Sequence, residues 1–205
     1  MPVLLRSETL ISYRVIQLPY VGEELKYAPH ELEVALKRIK HITKDEAIEL
    51  RGSVPLFFFL TVFARLYGSV SEITYRHKPS EPAYLLHSFL DETEYIRPSD
   101  VREISLKWTA SERSEMTEAR SKRQEMDVKL DMSAMWKEAQ SAGEVHALKR
   151  FLSQIYAYEP FGRTVSLTGQ APIFAAILAV KWFLPFAKSI SYDGISLKGP
   201  SSTNL

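Results

Sequence analysis

The chain has 205 residues with 26 basic and 25 acidic side chains, and 45% of it is hydrophobic. That is enough apolar mass for an ordinary buried core, while a net charge of +1 gives no global preference for nucleic acid or anionic membrane, so any anion site has to be local. The absence of cysteine excludes disulfides, thiolate nucleophiles and cysteine-ligated metal centres.

In chain order, residues 10 to 18 are β-branched, partly alternating and bounded by Pro19, which predicts a strand. From Pro29, the residues Leu32, Ala35, Leu36 and Ile39 recur at helical spacing. Glu31 and Glu33 come early and Lys37, Arg38 and Lys40 late, as the helix dipole favours. Ala47 to Leu50 reads as a short buried strand, Arg51 to Pro55 as a turn, Leu56 to Tyr67 as an apolar helix and Glu72 to Tyr75 as a further strand. The second half follows the same order. Leu148, Phe151, Leu152 and Ile155 share one face of a helix over residues 146 to 157, and Thr164 to Leu167 forms the next strand. Its opening strand is either Glu103 to Trp108 or Asp127 to Asp131, two segments that a hairpin would join. Between them, residues 110 to 126 carry four basic and four acidic side chains. They read as a solvated, flexible or weakly helical excursion, with a mobile flap over a ligand as the alternative. The N-terminus does not resemble a secretory signal. The run Ala171 to Ala187 carries Lys181 and is 17 residues long, short of the roughly 20 apolar residues a membrane-spanning helix needs. A buried helix, no stable membrane insertion and a cytoplasmic location are expected.

The two halves are related by more than element order. Residues 48 to 75 and 165 to 192 align without a gap, with Leu50, Gly52, Pro55, Phe57, Ile73 and Tyr75 falling on Leu167, Gly169, Pro172, Phe174, Ile190 and Tyr192. A period of this length is too long for a solenoid repeat and suits two fused copies of a small domain. The expected fold is α/β, with two tandem diverged copies of a β-α-β-α-β unit forming a pseudo-dimer: residues 1–98, and residues 99–205 with a charged insertion at about 110–126. A ligand site where the halves meet would follow, and further homo-oligomerisation is left open.

The candidate site is the turn that both copies share. Gly52 and Gly169 permit a sharp turn, and Pro55 and Pro172 suit a first helical position, so a strand ends and a helix begins where backbone N–H groups favour an anion. The candidate ligand-binding residues are Arg51, Gly52 and Ser53 in one copy and Thr168, Gly169 and Gln170 with Tyr192 in the other. A strand-to-helix turn of this kind is also common where nothing binds. The paired occurrence is what favours a ligand with two-fold symmetry.

Leu167 to Pro172, the apolar helix after it and Ser191-Tyr192-Asp193-Gly194 resemble the small CRISPR-associated ring nucleases of type III systems, the manganese-dependent deadenylase type that binds cyclic oligoadenylate. The family pattern is a strand ending in Ser-Gly-x-x-Pro, an apolar helix, and a strand ending in Tyr-Asp-Pro-x-x-Gly. Gly169, Pro172, Tyr192 and Asp193 match it at the same spacing, over about 35 residues. The family's histidine near the end of the helix is absent, with Trp182 to Pro185 and Tyr67 in its place, and Ile195 stands where the family has arginine. The resemblance implies a cytoplasmic antiviral-defence protein that binds, and as an enzyme would cleave, cyclic oligoadenylate or another nucleotide. It further implies a divalent cation such as manganese at Asp193. With the departures redistributed between the halves, Asp193 binds metal or orients a ribose hydroxyl, Arg76 steadies phosphate and His77 is the general acid or base. The alternative is a non-catalytic interaction or assembly module of a defence system in which both turns are structural.

Overall fold

A computed structural model describes residues 12–18, 29–88, 101–103, 106–123, 125–141 and 143–197. It is a mixed α/β structure that divides into two compact units, one comprising the described parts of Met1–Val54 and Leu66–Ile104, the other those of Pro55–Arg65 and Ser105–Leu205.

The first unit holds a five-stranded sheet in the order β1 (Tyr13–Gln17), β2 (Ala47–Arg51), β3 (Glu72–Arg76), β4 (Ala83–Ser88) and β5 (Val101–Glu103). β1, β2 and β3 run parallel, β4 returns antiparallel to β3 after the segment 77–82, and β5 is parallel to β4. Helix α1 (Pro29–Ile39) links β1 to β2 and buries Leu32, Ala35 and Ile39, three of the four residues of the predicted apolar stripe. Helix α2 (Leu56–Leu66) links β2 to β3. Phe58, Phe59, Leu60, Val62 and Phe63 are wholly excluded from solvent, which is the fate of a helix with no polar face. All but its last residue group with the second unit. Strands β2 and β3 are buried on both faces, so Glu49, Glu72 and Thr74 are buried polar residues that need partners.

The second unit contains α3 (Ala110–Lys122), β6 (Asp127–Asp131), α4 (Met132–Gln140), α5 (Glu144–Tyr156), β7 (Thr164–Thr168), α6 (Ile173–Phe183), β8 (Ser189–Tyr192) and β9 (Ile195–Ser196). β6, β7 and β8 are parallel and β9 closes an antiparallel hairpin on β8. Here the sheet alternates: Val128, Leu130, Val165, Leu167, Ile190 and Tyr192 are buried, while Asp127, Lys129 and Asp131 face solvent. β2 and β7, and likewise α2 and α6, lie 117 residues apart, the offset of the sequence repeat. The opening strand of this half is Asp127–Asp131. Residues 101–103 pair instead with β4. None of the described helices is long and apolar enough to cross a membrane.

β4, α4 and β9 lie outside the predicted elements, and α3 is more regular than expected. Helix α4 is not among the predicted elements, because it starts directly at the end of β6, where Asp131 Oδ1 accepts hydrogen bonds from the Ser133 (2.9 Å) and Ala134 (3.1 Å) amides. The charged excursion is the regular helix α3, opened by a capping box between Thr109 and Glu112. It is fastened by its cations rather than by an apolar stripe. Arg120 donates to the Tyr156 carbonyl at 2.5 Å and lies over Trp182 at 4.4 Å, Arg123 lies over Tyr158 at 4.6 Å, and Lys149 of α5 reaches Glu112 at 3.2 Å.

Candidate functional site

The two shared turns are built on the same frame. Gly52 has φ +122° and Gly169 φ +78°, both in the range that favours glycine. In the first unit the Tyr75 hydroxyl at the end of β3 donates to the Gly52 carbonyl at 2.8 Å. In the second, Tyr192 at the end of β8 donates to the Gly169 carbonyl at 2.7 Å. Both tyrosine side chains rise from the buried interior, so each phenol acts as a latch that satisfies an otherwise exposed turn carbonyl and fixes the glycine. The identities at Gly52/Gly169 and Tyr75/Tyr192 are thus two ends of one interaction. Burial, and secondarily Glu81, pushes the Tyr75 phenol up to about 12. Burial and the adjacent Asp193 carboxylate raise Tyr192 likewise, so both latches stay protonated at neutral pH.

Around these latches the units diverge. In the first, the register sets Arg51 directly opposite Arg76, an unfavourable like-charge pair unless an anion joins it. Glu49, two residues before Arg51 on the same face of β2, supplies that anion. Its Oε1 accepts from Arg51 Nε at 2.6 Å and Arg76 Nε at 2.7 Å. Burial alone would raise the Glu49 carboxyl, but hydrogen bonds from the two arginines and their charges outweigh it and hold it below the usual carboxylate range. Arg76 also donates Nη1 to the Glu81 carbonyl at 2.8 Å and is 13% exposed, so its guanidinium is committed to the protein. Arg51, whose Nε is held by Glu49, is 42% exposed. Ser53 follows Gly52 in the turn, and neither its amide nor its hydroxyl is engaged among the described residues. His77 Nδ1 lies 3.1 Å from the Tyr75 hydroxyl. Arg51, Gly52, Ser53, Arg76 and His77 are therefore neighbours at the C-terminal edge of β2 and β3, with Glu49 and Tyr75 as members that sequence spacing does not single out for this site. Glu49 is readable as a charged residue in a buried strand.

In the second unit the turn is filled from within. Ser133 Oγ accepts the Gln170 amide at 2.6 Å, and a Cβ on Gly169 would stand 2.6 Å from both Asp131 Oδ1 and Ser133 Oγ. Thr168 donates to the Leu130 carbonyl at 3.4 Å. Asp193 (φ +45°) and Gly194 (φ +80°) form the two-residue connection between β8 and β9, the type I′ geometry that Asp-Gly favours, and Asp193 is exposed. Thr168, Gly169, Gln170, Tyr192 and Asp193 thus share one sheet edge, where the neighbouring carboxylates of Asp131 and Asp193 oppose an anion. Among the described residues no three His, Asp or Glu side chains are grouped as metal ligands, so Asp193 lacks the ligand set that a resident divalent cation needs.

Apart from these turns, a groove of about 460 Å³ runs between α3 and α5, lined by Trp108, Met116, Ala119 and Gln154 among others, and it contains none of the turn residues. No family model matches the chain, no curated protein matches it, and no solved structure matches it.

Proposed function

We propose that the chain is a diverged tandem duplication that binds a phosphate-bearing nucleotide, the cyclic oligoadenylate of type III CRISPR defence, at the Arg51–Ser53 turn of its first unit. The observation that carries this reading is the unengaged amide and hydroxyl of Ser53 beside the half-exposed Arg51, on a turn held rigid by the Tyr75 latch. Preformed donors next to a cation that is itself oriented by Glu49 are what phosphate recognition requires. The motif Gly169-x-x-Pro172 with Tyr192-Asp193 supplies the ligand class through the family resemblance. His77 and the neighbouring hydroxyls leave room for phosphodiester cleavage as well as binding. The contrast between the turns supports the first as the ligand site, because in the second the Gln170 amide is taken by Ser133 and two carboxylates stand nearby.

The test is to incubate the protein at about 10 µM, enough to register a micromolar Kd, with radiolabelled cyclic tetra- and hexa-adenylate, with and without Mn²⁺. Gel retention and product formation are both followed. Retention that is lost in Arg51→Glu and kept in Thr168→Ala is the expected result. No retention of either ring overturns the assignment. Retention without product makes the chain a binding module rather than a nuclease.

A further inference from the structure

We infer that Tyr75 is a positioning residue that fixes the tautomer of His77, making Nε2 the ring atom that takes a proton from a bound ligand. This rests on the ligand reading above for its chemistry, but not for its geometry. A phenol has one proton, and the Tyr75 oxygen lies within reach of both the Gly52 carbonyl at 2.8 Å and His77 Nδ1 at 3.1 Å. The carbonyl only accepts, so the phenol proton belongs to that shorter bond. The second unit supports this assignment: Tyr192 makes the same bond to Gly169 at 2.7 Å, in a place where Gly194 stands at the position equivalent to His77. The latch therefore forms without a histidine, and a histidine added beside it finds only lone pairs on the phenol oxygen. His77 Nδ1 must then carry a hydrogen and donate it, which in the neutral ring leaves Nε2 as the bare nitrogen.

The consequence for chemistry is directional. With Nδ1 turned to Tyr75, Nε2 points away from the latch. In a ribonucleotide ligand it removes the proton of a ribose 2′-hydroxyl as that oxygen bonds to the adjacent phosphorus. The phosphorus–O5′ ester bond breaks, and the leaving oxygen takes its proton from water. Tyr75 contacts neither the ligand nor the reacting atoms. Its effect passes through the ring orientation and the protonation site, as that of an orienting group beside a general base does.

The direct test is a long-range ¹H–¹⁵N correlation spectrum of histidine-labelled full-length protein at pH 8, with His77 assigned by its disappearance in His77→Gln. The Nδ1–H pattern is expected for His77 in the wild type and in Tyr192→Phe, which removes the matching latch elsewhere. In Tyr75→Phe it should revert toward Nε2–H. An Nε2–H pattern for neutral His77 in the wild type, or an unchanged pattern in Tyr75→Phe, overturns the inference. If Tyr75→Phe fails to fold, the wild-type spectrum alone decides. Failure of the ligand reading is a separate outcome, seen as no retention of labelled ring by a protein whose His77 tautomer is as stated. Where turnover occurs, Tyr75→Phe should lower kcat at least about tenfold with KM little changed, and His77→Gln should lower it by about 10²-fold or more.

Discussion

Replacing Gly169 by alanine separates two costs that glycine at a turn avoids, backbone strain and steric contact. The φ of +78° alone costs an L-residue about 1–2 kcal/mol. Gly162, at φ +70°, sets the scale for this, because a Cβ there meets nothing within 4 Å. At Gly169 the added carbon would stand 2.6 Å from Asp131 Oδ1 and Ser133 Oγ, and 3.0 Å from the Ser133 amide. It cannot be admitted without disturbing the Asp131 cap of α4, worth about 1 kcal/mol, and the 2.6 Å bond from Gln170 to Ser133, worth about another. The expected losses are therefore about 1–2 kcal/mol for Gly162→Ala and about 3–4 kcal/mol for Gly169→Ala. Urea unfolding of each variant, followed by Trp136, checks this. That residue lies in α4 with its ring 5.6 Å from Phe151 and 6.3 Å from Phe174, so it reports the second unit. Equal losses in the two variants would refute the claim that α4 closes this turn.

Glu49→Gln should cost about 3 kcal/mol, because it removes the carboxylate that accepts from both the largely covered Arg76 and the half-exposed Arg51. A double mutant cycle with Arg76→Met should recover part of the loss. The sign with pH follows from the lowered Glu49 carboxyl. Its stabilisation is complete above the ordinary carboxylate range and is lost as pH falls through its depressed value. The wild type should therefore lose stability as pH falls below the ordinary carboxylate range by a margin that Glu49→Gln does not show in urea melts. Arg120→Ala should detach α3, removing both the bond to the Tyr156 carbonyl and the contact over Trp182. Hydrogen exchange of the α3 amides should rise at least tenfold, while that of β7 is unchanged.

The elements legible from sequence are those whose stability comes from apolar pattern. The runs in α2 and α6, the stripes of α1 and α5, and the strands β2, β3 and β7 are readable because each buries a periodic or continuous apolar face. Helix α3 reads as weakly helical at most because Arg120 and Arg123 hold it by stacking on Trp182 of α6 and Tyr158 after α5, contacts that leave no local period. Helix α4 escapes although Met132, Met135, Trp136 and Ala139 recur at helical spacing, because Asp131 ends a strand and caps a helix at once. At the site, the paired glycines, prolines and tyrosines are visible as identities, but not what joins them. A tyrosine 23 residues from a glycine carries no signal that its hydroxyl returns to that glycine's carbonyl. Arg76 shows the same limit: its position beside Gly52 can be read, but its commitment to Glu49 depends on the register of two strands.

The latch lets the two turns share one shape although their chemistry differs. It consists of a buried phenol and a backbone carbonyl, and neither constrains the side chains on the adjoining sheet edge. Glu49, Arg51, Arg76 and His77 occupy that edge in the first unit. Their sequence equivalents in the second are Ser166, Thr168, Asp193 and Gly194. The first set places two cations around a buried anion and leaves one of them, Arg51, half exposed beside the unengaged donors of Ser53. The second replaces both cations by a hydroxyl and a carboxylate, and commits its turn amide to Ser133. On the proposed reading, an anion presented to both turns should therefore bind at the first in preference to the second, although the backbone of the two is held by the same bond.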